Sequence, residues 1–145
     1  MTSSLMKPVT RPTPEQTEDL VLFVRQGLGC GCPDEVFSDI RIELQPEAFA
    51  GLPIDCLVRI GGRLLVAVCT SSEWRDAENN LGPVFKTGKG LRDQDGFNRF
   101  RFVLMTEETE RAAQMVEARF HRLTGMDDRV HVHVVGPSAL PSCLT

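Results

Sequence analysis

Apolar residues recur along the chain with two periods, and the changes of period mark its elements. From Thr13 the spacing is helical: Leu20, Phe23, Val24 and Leu28 form one stripe. Thr13 offers an N-cap, Pro14 suits the first helical position, and Gln16 completes a Thr-x-x-Gln capping box. Gly29 is placed to end this helix. Pro33-Asp34-Glu35, following Cys32, has the order of a helix start and predicts a short second helix over 33–38 with Val36 and Phe37 inward. The period then becomes two. Ile40, Ile42 and Leu44 alternate with Arg41 and Glu43, predicting a half-buried strand. Residues 54–60 and 63–70 predict two more strands, joined at Gly61-Gly62, because primed hairpin turns need positive φ. The run from Leu64 to Cys69 is apolar on both faces, so it is expected at the centre of the sheet.

Over 71–96 the pattern breaks. Asn79-Asn80, Gly82-Pro83, Gly88, Gly90 and Gly96 punctuate it and predict a long loop, of a length often associated with function. Order returns with Phe100, Phe102 and Leu104 alternating with Arg101 and Val103. A helix over 107–123 follows, opened by Thr106, with glutamates early and Arg119 and Arg122 late, as the helix dipole favours. Its expected buried stripe is Ala112, Met115, Val116, Phe120 and Leu123. Val130, Val132 and Val134 predict a fifth strand. Residues 1–12 read as a flexible arm and 136–145 as a tail. The expectation is a single domain over 1–145, of class α+β. It has a mixed sheet of about five strands, an antiparallel hairpin, a C-terminal β-α-β unit and flanking helices.

Composition narrows the classes. The chain has 145 residues, 41% of them hydrophobic, which suits one core. A formal net charge of -4 disfavours a dedicated nucleic-acid binder but leaves room for a local basic patch. No apolar run approaches the ~20 residues of a membrane span, so no membrane partner is expected. Residues 1–14 lack the apolar segment of a secretory signal, and a cytoplasmic location is the expectation. Five irregularly spaced cysteines then read as reduced thiols rather than a disulfide framework.

The chemistry concentrates at Cys30-Gly31-Cys32. Two thiols at a helix start are redox or metal candidates, because a helix N-terminus stabilises a thiolate. His131 and His133 share one strand face and, with His121 on the preceding helix, are weaker metal candidates. The expected loop region carries Lys86, Lys89, Arg92 and Arg99 with Trp74 and Phe85, a set suited to gripping a phosphate, an acidic partner or a second subunit. Its Gly82…Gly88-Lys89-Gly90 is no phosphate loop: the glycines stand one residue too far apart, and Gly90 occupies the magnesium-binding hydroxyl position. Asp93-Gln94-Asp95-Gly96 is no calcium loop, since the twelfth position of that frame is Leu104.

Residues 53–70, from Pro53-Ile54-Asp55-Cys56 through Gly61-Gly62 to Val68-Cys69-Thr70, resemble the central hairpin of restriction-endonuclease-like nucleases. In that family an Asp opens one strand and a Glu-x-Lys follows on the next; Asp and Glu hold magnesium and Lys supports the attacking water. Asp55 matches the Asp, while Val68 and Thr70 stand where the Glu and Lys would be. The resemblance implies a fold relative without nuclease chemistry, and no residue here is assigned a catalytic role. Three functional readings follow. The first is a cytosolic thiol-bearing protein with a redox or metal role at Cys30 and Cys32. The second is a non-catalytic domain for oligomerisation or partner binding, with a homo-oligomer as the simplest case. The third is a degenerate nuclease-like domain that binds nucleic acid. The sequence names no cofactor and no small-molecule ligand.

Overall fold

The computed structural model describes residues 9–29, 31–70, 73–124 and 127–144. Six strands form one mixed sheet whose spatial order follows the chain: β1 (Val9–Thr10), β2 (Ile40–Leu44), β3 (Cys56–Ile60), β4 (Leu64–Cys69), β5 (Arg99–Met105) and β6 (Val130–Val135). The first three junctions are antiparallel, and β4–β5 and β5–β6 are parallel. The class is α+β, as the two periods imply. The sheet holds one strand more than expected, because Val9 and Thr10, in the expected arm, pair with Glu43 and Ile42. Among the described residues no helix is long and apolar enough to cross a membrane.

Helix α1 (Pro14–Leu22) begins as the capping box dictates. Thr13 accepts from the Gln16 amide, and the Gln16 side chain accepts from the Thr13 amide. Phe23–Gly27 then widen into a π turn, and Gly29 at φ 68° turns the chain away. This segment, a 3₁₀ turn at Asp34–Ser38 and the C-terminal residues cover one face of the sheet over Ile42, Val58, Ile60, Val66 and Val103. The other face, with Leu57, Leu65, Phe100, Phe102 and Leu104, lies under α2 (Trp74–Asn79), α3 (Leu81–Asp95) and α4 (Thr109–Thr124). Strand β4 is buried at every position, as its continuous apolar run requires. The β3–β4 turn sits on Gly61 and Gly62 at φ 58° and 65°, the left-handed backbone expected of the pair. Gly61 also lies against the 3₁₀ turn: a Cβ there would come 2.4 Å from the Val36 carbonyl oxygen.

Several expectations are corrected. The loop over 71–96 is replaced, among its described residues, by α2 and α3. Gly88 is a packing residue rather than a breaker: its added Cβ would meet the Phe100 ring at 2.3 Å, so glycine lets α3 approach the sheet. Pro83 falls in the first turn of α3, where the missing N–H would lack an intrahelical partner anyway. Of the expected tail over 136–145, the described residues pack back, with Leu140 and Leu144 in the core. On α4, Ala112 and Val116 are buried, whereas Met115 and Leu123 are exposed. Residues 33–38 do not form an α-helix, and the five-residue 3₁₀ turn gives Cys32 no sustained dipole.

Candidate functional site

Cys30 lies outside the described residues. Cys32 is half-buried and disulfide-bonded, contrary to the expectation of reduced thiols, whereas Cys56, Cys69 and Cys143 are not in disulfides. Arg25 holds the turn around it: Nη2 donates to the Cys32 carbonyl at 3.1 Å, pairs with Asp34, and the guanidinium lies 5.1 Å from the Phe37 ring centroid. The packing of Gly61 on Val36 brings the end of the β3–β4 hairpin against this turn. Between them opens a cavity of about 240 Å³, lined by Cys32, Pro33, Arg63, Asn98 and Arg99 among others. Asn98 and Arg99 reach it because both their amides donate to the Arg63 carbonyl at the start of the β4–β5 pairing.

A row of cations and imidazoles runs from this cavity along β5 and β6. Arg99 and Arg101 stand two apart on β5 and therefore share a face; His131 and His133 stand two apart on β6. Arg99 Nη1 donates to the Asp128 carbonyl at 3.0 Å and lies 3.1 Å from His131 Nε2. Arg101 Nη1 donates to the Leu28 carbonyl at 3.0 Å and lies 2.8 Å from His133 Nε2. A guanidinium only donates, so each Nε2 accepts and each imidazole is neutral. Burial first, then the neighbouring charge of Arg101, pushes both histidines down, His133 to about 4. Burial first and then Arg99 also lower Arg101, which is only 7% exposed and whose buried Nε has no hydrogen-bond partner among the described residues. Among the described residues no carboxylate pairs with Arg63, Arg99 or Arg101.

The histidine set does not assemble. His121 is exposed on α4 beside Phe120, and among the described residues no three His, Cys, Asp or Glu side chains are placed to hold a metal ion. The candidates from the expected loop are largely interior or engaged. Trp74 is buried and its Nε1 donates to Glu108 at 3.1 Å. Phe85 packs edge-on against Phe100 and Phe102. Lys89 and Arg92 both hold Asp127, at 3.2 Å each, tying α3 to the entry of β6; Lys86 is exposed. Burial of Trp74 and Phe85 removes them as a surface for a second subunit.

Asp55 lies at the mouth of the β3–β4 pair. Its amide donates to the Val68 carbonyl at 2.8 Å, and its Oδ2 accepts from the Thr70 amide at 2.6 Å and the Thr70 hydroxyl at 3.2 Å. Here the carboxylate clamps two strand ends. Arg63, which lines the cavity, and Arg101, which extends the cationic row, are the residues that sequence reasoning missed; Arg63 sits in the hairpin turn with no chemical pattern around it, and the alternate strand position of Arg101 gives no sign of burial. No family model, curated protein or solved structure matches the chain.

Proposed function

We propose that Cys30 and Cys32 form a dithiol–disulfide couple that exchanges electrons with thiol substrates. The observation that carries this reading is that Cys32 is disulfide-bonded in the wall of an open cavity edged by Arg63 and Arg99. In the forward direction a substrate thiolate attacks one sulfur of the couple and forms a mixed disulfide; the other sulfur leaves as a thiolate. A second substrate thiolate attacks the mixed disulfide, the substrate departs as a disulfide, and the couple holds both electrons as two thiols. Nearby guanidiniums stabilise the leaving thiolate. Cys56 is poorly suited to this chemistry, since burial first and then Asp55 and Cys143 push its thiol up to about 12. The test is equilibration of the full chain in glutathione buffers, with the couple read by mass spectrometry. A reversible two-electron transition confined to the peptide containing Cys30 and Cys32 is expected, and its loss in Cys32→Ser. A protein that stays fully reduced or fully oxidised across the whole range would defeat the reading.

A second reading, a nuclease-like domain without nuclease chemistry that binds nucleic acid, is favoured by one observation. Helix, antiparallel three-strand meander, helical crossover and parallel strand follow one another, an order compatible with an α-β-β-β-α-β core of that kind, with Asp55 at the meander's mouth. Binding to duplex or single-stranded DNA that weakens steeply with salt would support it. Absence of binding at low salt would remove it.

A further inference from the structure

The redox reading leaves open which thiols the couple meets, and the charge around the cavity bears on that choice. The chain carries a net -4, yet Arg63 and Arg99 line the cavity with Cys32, Arg101 stands two residues along β5 from Arg99, and no carboxylate pairs with any of the three among the described residues. The nearby acids are occupied elsewhere: Asp34 pairs with Arg25, and Asp127 with Lys89 and Arg92. Asp128 meets Arg99 through its backbone oxygen. The side-chain groups bonded to Arg99 and Arg101 are imidazoles acting as neutral acceptors, which take up hydrogen bonds without cancelling charge. Arg101, two residues along β5 from Arg99, is buried, where its field is screened far less than that of a surface cation. Arg63 and Arg99 reach the open cavity itself. At about 240 Å³ the space falls below the usual range for drug-sized ligands and suits a molecule of few heavy atoms.

We propose that this cavity recognises the anionic end of the thiol substrate, so that the couple exchanges preferentially with a small carboxylate-bearing thiol; the inference rests on the redox reading above. A guanidinium fork matches a carboxylate through two parallel N–H···O bonds, and Arg63 and Arg99 line the cavity, Arg99 with its Nη1 already bonded to the Asp128 carbonyl and His131. The substrate carboxylate neutralises the cluster while its sulfur faces the couple. A cationic thiol of equal size meets repulsion at the same place.

The test uses three small thiols of similar size and different charge: 3-mercaptopropionate, 2-mercaptoethanol and cysteamine. Each reduces the oxidised full-length protein at low ionic strength, with rates corrected for its ionised fraction. The anionic thiol is expected to exceed the cationic one by about tenfold or more, with the gap shrinking as salt is added. Arg63→Glu, at an exposed position, and Arg99→Gln are expected to collapse the anionic-to-cationic ratio, each after circular dichroism shows the fold retained. The ratio is the readout because loss of a guanidinium alters the leaving thiolate equally for all three. Equal corrected rates in the parent protein, or an unchanged ratio in both variants, overturn the inference and leave the couple standing. No reduction by any of the three overturns the couple and the inference together.

Discussion

Arg101 and His133 set each other's chemistry. A protonated imidazole has no lone pair to offer Arg101 Nη1, so acid turns a 2.8 Å hydrogen bond into a contact between two donors. Burial, then Arg101 and His131, hold the folded pKa at about 4, below the ordinary histidine value of 6.5. Because the folded value is the lower one, the unfolded chain takes up the proton first. The stability contributed by neutral His133 is therefore full above about 6.5 and is lost as pH falls toward about 4, at most about 3 kcal/mol. In His133→Gln, which keeps an acceptor for Arg101, urea melts across that window should show a flatter dependence on pH. An unchanged slope would assign the acid sensitivity to other groups. A second expectation concerns sulfur. After reduction, Cys32 should be alkylated before Cys56 at neutral pH, read by peptide mass spectrometry, because only the Cys32 turn opens on a cavity and the Cys56 thiol is pushed to about 12. The sequence marks Cys32, His131 and His133 as candidates, the histidines for a metal rather than for the guanidinium contacts they make. Arg101 is not marked: alternation with Phe100 and Phe102 reads as solvent-facing, whereas in the fold it is buried and donates to the Leu28 carbonyl.

Helix α3 shows why glycine misleads as punctuation. Leu81, Val84, Phe85, Gly88 and Arg92 are its buried positions, spaced by three and four, so the helical period runs through the segment. Gly88 occupies a core position of that stripe and interrupts it to the eye, because its contribution is closeness rather than bulk. Two substitutions of the same chemistry should therefore act with opposite sign. Gly88→Ala drives a methyl into the Phe100 ring and should cost about 1–3 kcal/mol, more than the ~1 kcal/mol gained in helix propensity. Gly90→Ala meets nothing within 4 Å and should stabilise by up to about 1 kcal/mol. Denaturant midpoints decide both, and a stabilising Gly88→Ala would show that α3 sits further from the sheet. The helix is also anchored at its far end. Despite burial, which works the other way, hydrogen bonds from the Arg129 amide, Arg92 and Lys89 lower the Asp127 pKa. Its contribution is thus present above the ordinary carboxylate range and lost as pH falls through the depressed value. Asp127→Asn should destabilise by about 2 kcal/mol near neutrality and by less in acid, measured by thermal melting at each pH.

Across the whole molecule, the features readable in advance are those that local rules govern: the capping box, the two-glycine hairpin and the doubly apolar β4. What escaped depends on packing between distant segments: the C-terminal residues returning to the core, β1 joining β2, and α2 and α3 closing over the sheet. Since β4 is buried on both faces, Val66→Asp should leave no folded protein. An unpaired buried carboxylate costs several kcal/mol against a total stability of ~5–15 kcal/mol. Soluble protein with an unaltered melting temperature would contradict the central placement. One feature of the sheet reaches beyond the finished structure. Because the strands lie side by side in the order in which they occur along the chain, no strand has to be threaded between two already paired. Each new strand needs only the edge left by its predecessor. During synthesis the antiparallel meander is therefore complete before the parallel strands emerge and can serve as their template, and the slower loop closures fall at the end, where the helices of α2–α4 shorten the search.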